Sequence, residues 1–512
     1  MISAFLFAIL LAGTSLASAS PADWPMYRNN PLHTGVATDV VAPPLNLKWK
    51  QTFGGAVYSS PAVVGSRLYV GSNDFNLYAI DTATGNIIWA FNDAGGITTP
   101  WDSSPAVATV GGQTVIFAGN DDKSLYAVRD DGIAPFKLWE YITGGKVKSS
   151  PVVTTIAGTQ VVIFGSDDSN LYALVASTGA LYVGWTTNPF VAAGLIETSP
   201  AILGQTIFFG NDAGAASALY AVNLGNGVEL WHYHTAAAGL IYSSPAVANV
   251  VVGGVPTDLV FFGADDSKLY ALVAASGALQ WSFAVGGTID SSPAIAVIPN
   301  PPAACSPGPT LAVIFGSGDH NLYAVRASDG TPCWTFPSTG AEDFDSSPTV
   351  SGQMVYVGSD DNNLYGVDLN TGTWRWSYPA LDDIGEPHVA PNPVVSGARL
   401  YVGSKDHNLY AFEALPPTTV TSTVTSAVTS TVTSAVTSTV TTTIAATTVT
   451  TTVTSMETTT SMVTQTVSIC PGPSPVPGFP IESILAGLVA GVAALGFLRH
   501  RHRRREARGS ED

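Results

Sequence analysis

Ser59–Trp89 reads SSPAVVGSRLYVGSNDFNLYAIDTATGNIIW, and its punctuation decides the fold. SSPAVV, RLYVGS, NLYAID and NIIWAF, the last running two residues on, are short apolar runs with the β-branched and aromatic character of strands. Gly65-Ser66, Asn73-Asp74-Phe75-Asn76 and Thr82-Ala83-Thr84-Gly85 part them with turn-forming residues. No helical period runs through the unit. It predicts four antiparallel strands joined by tight turns.

The unit recurs. SSPAVV stands at 59–64, SSPAVA at 103–108, SSPVVT at 149–154 and TSPAIL at 198–203. SSPAVA follows at 243–248, SSPAIA at 291–296 and SSPTVS at 346–351, and the motif decays to PNPVVS at 391–396. Each is followed by a Leu-Tyr step, the tyrosines being Tyr78, Tyr126, Tyr172, Tyr220, Tyr270, Tyr323, Tyr365 and Tyr410. Trp89, Trp139, Trp185, Trp231, Trp281, Trp334 and Trp376 close the first seven units. Four strands per about 45 residues, repeated in phase, is the pattern of a β-propeller blade. The fold class is therefore all-β, an eight-bladed propeller of four-stranded antiparallel blades. The last unit ends at LYAFEAL without a fourth strand, while a spare Trp49 stands in LKWKQTF before the first Ser-Pro. An N-terminal strand over 47–53 should complete the eighth blade and close the ring, removing an exposed sheet edge.

The repeat SSP…G-S-x-D-x-x-L-Y-A-x-D-x-x-T-G-x-x-x-W, best kept in Ser59–Trp89, resembles the pyrroloquinoline quinone (PQQ)-type propeller repeat family. The opening ADWPMYRNNPLHTG at 22–35 is similar to that family's lead-in, so the resemblance spans roughly 22–415. It implies eight blades with tryptophans packed between neighbours. It also implies one of two roles: a quinoprotein dehydrogenase oxidising alcohols or sugars with PQQ and calcium, or a cofactor-free scaffold like the outer-membrane assembly lipoprotein. The classical enzymes of the family carry an adjacent Cys-Cys pair and long insertions over the quinone. This chain has no such pair, no haem-attaching CxxCH, and lean blades. The expectation is a non-catalytic binding or assembly module with no cofactor, the PQQ enzyme being the alternative. G-x-S-x-G and HExxH hydrolase motifs are also missing.

The ends place the propeller. ISAFLFAILLAGTSL at 2–16, followed by Ala17-Ser18-Ala19, reads as a signal peptide over 1–19. The propeller domain takes 20–417. Residues 418–469 are almost wholly Thr, Ser, Val and Ala, too poor in large apolar surface to build a core, and read as a disordered stalk. A Pro-rich spacer over 470–480 leads to a transmembrane helix over 481–498 and a basic tail over 499–512 carrying Arg499, Arg501, Arg503, Arg504, Arg505 and Arg508. Positive charge at a membrane exit faces the cytoplasm. The reading is a single-pass plasma-membrane protein, its N-terminal domain extracellular and its C-terminus cytoplasmic. Its expected partners are an extracellular protein or small molecule and the membrane itself.

The 512 residues are 46% apolar and 11% charged, with a formal net charge of −18. That acidity excludes general nucleic-acid binding. Setting aside the tail and stalk, the folded part holds 14 basic and 33 acidic residues. The residue before each Ser-Ser-Pro or Thr-Ser-Pro should look into the mouth of the central funnel: Tyr58, Asp102, Lys148, Glu197, Tyr242, Asp290 and Asp345, with His388 and Glu386 near the eighth blade. Tyr recurs in blades one and five and Asp in two and six, diametrically opposite in an eight-fold ring. Trp101, beside Asp102, is the aromatic residue that would stack a planar ligand. An acidic mouth with one lysine suits a cationic or polyhydroxyl ligand, or a partner's loop. The Asp/Asn turns (Asp74, Asp121, Asp122, Asp167, Asp168, Asp265, Asp266, Asp360, Asp361, Asp406) match no EF-type calcium loop and read as Asx turns, so no metal site is expected. Cys305 and Cys333 fall on turns of one blade, on the face opposite the mouth, and are expected to form a disulfide. Cys470 is then left to link two chains.

Overall fold

The computed structural model describes residues 23–415, apart from 94–95, 236–238, 307, 341 and 380–390, and a few short strands between 427 and 468. The segments expected to form the signal peptide, the spacer, the membrane span and the basic tail lie outside the described residues, as do Glu386, His388 and Cys470. Among the described residues no helix is long and apolar enough to cross a membrane.

Residues up to Ala414 form one compact unit of eight four-stranded sheets. Blade 1 runs Ala62–Val64, Arg67–Gly71, Leu77–Asp81 and Ile87–Phe91, each strand antiparallel to the next. The central two strands are buried almost throughout, because blades pack on both of their faces and leave no solvent side. Blade 3 departs most: its outer strand is only Phe190–Val191, and the Asn188 carboxamide stands in for missing pairing by bonding both the N–H and the C=O of Ala173.

The ring closes as the sequence predicts. Leu45–Thr52 lies antiparallel to Asn408–Ala414 as the fourth strand of blade 8. The blade spacing is set by tryptophan. The indole N–H of Trp139, Trp185, Trp231, Trp281 and Trp334 each donates to a carbonyl of the next blade, that of Trp49 to Thr82 of blade 1, at 2.9–3.0 Å. Each ring rests on the next blade's turn glycine, as Trp185 does on Gly227. Those glycines have φ near +70°, as at Gly227 (+71°) and Gly372 (+68°), so the position requires glycine for its backbone as well as for the indole above it.

The lead-in segment carries a feature with no sequence precedent. From Trp24 to Gly35 the chain winds round the inside of the ring on the face opposite the Ser-Pro loops. The carbonyls of Trp24, Pro25, Pro31, Leu32, Thr34 and Gly35 accept, in that order, the N–H groups of Val63, Val107, Ile202, Val247, Ile295 and Val350. These are equivalent positions on the innermost strands of blades 1, 2, 4, 5, 6 and 7. Val36–Ala37 then pairs in parallel with Thr349–Ser351. The open inner edges of six blades are thereby satisfied. The wrap thus lies at the base of the funnel, with Tyr27 among the residues that line it.

Cys305 and Cys333 form a disulfide within blade 6. The second unit, Leu415–Asp512, holds the Thr/Val-rich stretch. Within it Ser438–Ile444 pairs antiparallel with Thr447–Val453, and part of the latter with Thr466–Ser468. Threonine and valine favour strands even where no core is available.

Candidate functional site

An axial well open to solvent lies at the centre of the ring. Its upper wall is the predicted set: Tyr58, Asp102, Lys148, Glu197, Tyr242, Asp290 and Asp345 all line it. Each stands at the start of an inner strand, so eight-fold repetition of one backbone position turns a sequence column into a ring.

Beneath them runs a second ring, made by the second serine of each motif. The backbone N–H of Ser60 donates to Ser104 Oγ, Ser104 to Ser150, Ser150 to Ser199, Ser199 to Ser244, Ser244 to Ser292 and Ser292 to Ser347, at 2.9–3.0 Å. Ser347 N–H donates to Asn392 Oδ1 at 2.7 Å, and Asn392 N–H returns to Ser60 Oγ at 3.0 Å. Eight blades are tied in one closed cycle. The decayed motif PNP is thus a working member, its asparagine supplying the oxygen. All eight side chains line the well. The floor is Tyr27, whose hydroxyl lies 2.9 Å from Ser292 Oγ.

Under the floor Arg28 is buried, its Nη1 donating to the Pro348 carbonyl at 2.6 Å, and burial lowers its pKa to about 10. His33 is buried beside it, and desolvation and the Arg28 charge push it down to about 3, leaving a neutral ring whose Nδ1–H donates to Pro245 O.

Trp101 requires a correction. It is fully buried and absent from the well lining, packed against Tyr126 and Phe91 at centroid distances of 5.3 and 6.2 Å. Its slot is the apolar anchor one residue before each mouth residue, filled elsewhere by Val57, Val147, Ile196, Ile241, Ile289 and Phe344, all buried. Reading that column in phase would have found it.

The electrostatics divide the well. On blades 3 and 4, Lys148 Nζ and Glu197 Oε1 are 2.8 Å apart. Burial works to lower the Lys148 pKa, but the Glu197 bond and the charges of Asp167 and Asp121 raise it overall. Opposite, Asp345 is pushed up to about 8 by burial and by Asp290, Asp360 and Asp343, with Lys405 opposing. Asp167 rises to about 7 through burial and Glu197.

Sequence reasoning reads Asp121, Asp167, Asp265 and Asp360 as turn formers whose repetition makes one rim of the ring acidic. They are the first acids of the paired-Asp turns on the mouth face, and Asp212, whose carboxylate accepts from Tyr242 at 2.9 Å, joins them. The second acids hold the blade: Asp74, Asp122 and Asp168 accept from Tyr78, Tyr126 and Tyr172 at 2.6–2.8 Å, and Asp266, Asp361 and Asp406 likewise from Tyr270, Tyr365 and Tyr410. Asp74 Oδ1 also accepts from the N–H of Asn76, closing an Asx turn.

No three His, Cys, Asp or Glu side chains among the described residues are grouped to hold a metal ion. PQQ, a planar tricarboxylate, would meet the carboxylates of Asp102, Glu197, Asp290 and Asp345 in this lining, with Lys148 already paired to Glu197 and Trp101 out of reach.

The fold has known counterparts. BamB from Moraxella catarrhalis superimposes with a TM-score of 0.53 at 14% identity, covering 72% of this chain and 98% of that one. A europium-containing methanol dehydrogenase gives 0.58 at 14% identity, over 77% and 98% of the two chains. The quinohemoprotein alcohol dehydrogenase from Comamonas testosteroni gives 0.57 at 15% identity, over 79% and 82%. No curated protein sequence matches. The family described as outer membrane protein assembly factor BamB matches residues 45–135, 136–295 and 298–468, and the chain belongs to that family of PQQ-type propellers.

Proposed function

We propose that this chain is a non-catalytic binding or assembly module, held outside the plasma membrane by a single C-terminal span and engaging its ligand or partner at the funnel face. The observation that carries the reading is the construction of the well. The N-terminal wrap lies against its base, its ring of serine side chains bonds blade to blade, and its walls carry the half-buried carboxylates of Asp102, Glu197, Asp290 and Asp345. Such a cavity orients and binds. Its chain-specific residues are confined to the mouth, where a partner's loop or a small molecule would meet them. The disulfide agrees with an exported domain, and the apolar segments at both ends with export and anchoring.

The test is an absorbance spectrum of the purified chain with added PQQ and calcium, followed by dye reduction with alcohols and sugars. The reading expects no bound chromophore and no dye reduction. A quinone chromophore with turnover would make the chain a quinoprotein dehydrogenase.

A further inference from the structure

We propose that His232 and His234, on the outer strand of blade 4, bind a divalent ion of the zinc–copper class through their Nε2 atoms, with Glu229 as the carboxylate that positions His232. None of the three lines the well, so the site stands apart from the mouth.

Glu229–His234 reads ELWHYH and is the fourth strand of its blade. His232 lies opposite Tyr220 and His234 opposite Ala218, so both project from one side of the strand. The register shifts between the pairs Ala221–Trp231 and Val222–Glu229, leaving Leu230 as an extra residue. That bulge brings Glu229 round to the histidine side, where it bonds His232. The repeat does not call for these side chains. In blades 1, 5, 6 and 7 the position matching Glu229 holds Ile87, Leu279, Pro332 and Trp374, and that matching His232 holds Ala90, Ser282, Thr335 and Ser377.

Hydrogen bonds set both rings in the tautomer a metal requires. His232 Nδ1 lies 2.7 Å from Glu229 Oε1, and His234 Nδ1 lies 3.3 Å from the Ser217 carbonyl oxygen. An ionised carboxylate and a carbonyl only accept, so each Nδ1 carries the hydrogen and each neutral ring keeps its lone pair on Nε2. A carboxylate or carbonyl behind the ring is the usual support of a metal-ligating histidine.

The spacing agrees. The two ring centroids are 4.9 Å apart, with their planes at 73°. Metal–nitrogen bonds of about 2.0 Å put each centroid about 3.2 Å from an ion, so two imidazoles on one ion stand roughly 4.5–5.2 Å apart at bond angles of about 90–109°. Glu229, His232 and His234 are all exposed, which gives an ion free access. Three protein ligands are not drawn together anywhere among the described residues, so water fills the remaining positions and the site is open. Imidazole nitrogens favour zinc and copper(II), whereas calcium and magnesium take oxygen ligands.

The experiment is carbethoxylation of the purified full-length chain by diethyl pyrocarbonate, read at each histidine by mass spectrometry, with zinc chloride, copper(II) chloride or calcium chloride present. Zinc or copper(II) should slow modification of His232 and His234 tenfold or more, and calcium should slow neither. Because the two rings share one ion, His232→Asn should abolish the protection of His234. Glu229→Gln should raise the ion concentration needed for half-protection about tenfold. Labelling unchanged by both transition metals, equal protection by calcium, or full protection of His234 in a folded His232→Asn chain overturns the proposal. An unchanged half-point in Glu229→Gln overturns the positioning role of that carboxylate. If the histidine variant does not fold, the ion-dependent labelling of the unaltered chain decides.

Discussion

The indole of Trp49 occupies the space that a side chain at residue 85 would need: a Cβ on Gly85 would fall 2.6 Å from Trp49 Cδ2. This contact joins Leu45–Thr52, the fourth strand of blade 8, to the turn of blade 1, so it lies at the seam of the ring. Gly85→Ala combines left-handed backbone strain (φ +76°) with overpacking against the indole and should cost about 2–4 kcal/mol. Gly65→Ala, with similar φ (+59°) but open space around it, should cost about 1–2 kcal/mol. Equal melting shifts for the two would show that the seam contact contributes nothing. Deleting residues 45–54 should destabilise the whole ring, and an unchanged melt would reject the closing strand.

Asn392 completes the hydrogen-bonded cycle by accepting from Ser347 N–H at 2.7 Å. Asn392→Ala leaves that buried N–H without its acceptor and should destabilise by about 1–3 kcal/mol in chemical denaturation. Asn392→Ser, the residue at the seven other positions, should restore most of the loss. A variant with alanine as stable as the parent would mean that the cycle is incidental.

The carboxyls of Asp345 and Asp167, raised to about 8 and 7 by burial and then by neighbouring acids, make stability depend on pH. An unfolded aspartate releases its proton near pH 4. Between there and neutrality the folded chain holds protons that the unfolded chain has released. The stabilisation from this is complete below about pH 4 and is lost as pH rises through 7 to 8. Melting temperature should therefore fall from pH 6 to pH 9, and Asp345→Asn should flatten the fall. Parallel curves for the two proteins would remove Asp345 as the cause.

The Cys305–Cys333 disulfide closes a loop of sequence separation 28. Reducing it should lower stability by about 2–4 kcal/mol. Mass spectrometry that finds both as free thiols after native purification would reject the bond.

The blades and the mouth were legible because both are written in repetition. Seven Ser-Pro motifs and an Asn-Pro counterpart fix eight inner strands, and the residue before each Ser-Ser-Pro or Thr-Ser-Pro falls on the wall of the well, as Asp102 and Asp290 do. Trp101 misled because a single large aromatic looks like an exception until its column is aligned with Val147 and Ile289. The wrap from Trp24 to Gly35 was illegible for another reason. Its six bonds to the inner strands run through main-chain carbonyls, which every residue type possesses, so they leave no mark in the sequence, although Tyr27, Arg28 and His33 add side-chain anchors. Asn392 looked like decay because the motif preserves an oxygen at one position rather than a residue name. The acids of the outer rim, such as Asp167, are legible as turn formers that make one rim acidic, whereas the coupling of Asp167 to Glu197 is not.

The wrap has a consequence for how such a molecule can evolve. Repeat proteins change size by gaining or losing whole modules, and neighbour contacts alone would tolerate a seventh or ninth. Here a non-repeating ribbon of fixed length touches successive modules in order, from Val63 to Val350, before handing over to the closing strand. It acts as a gauge of circumference: a ring with one module more or fewer would leave the gauge too short or slack.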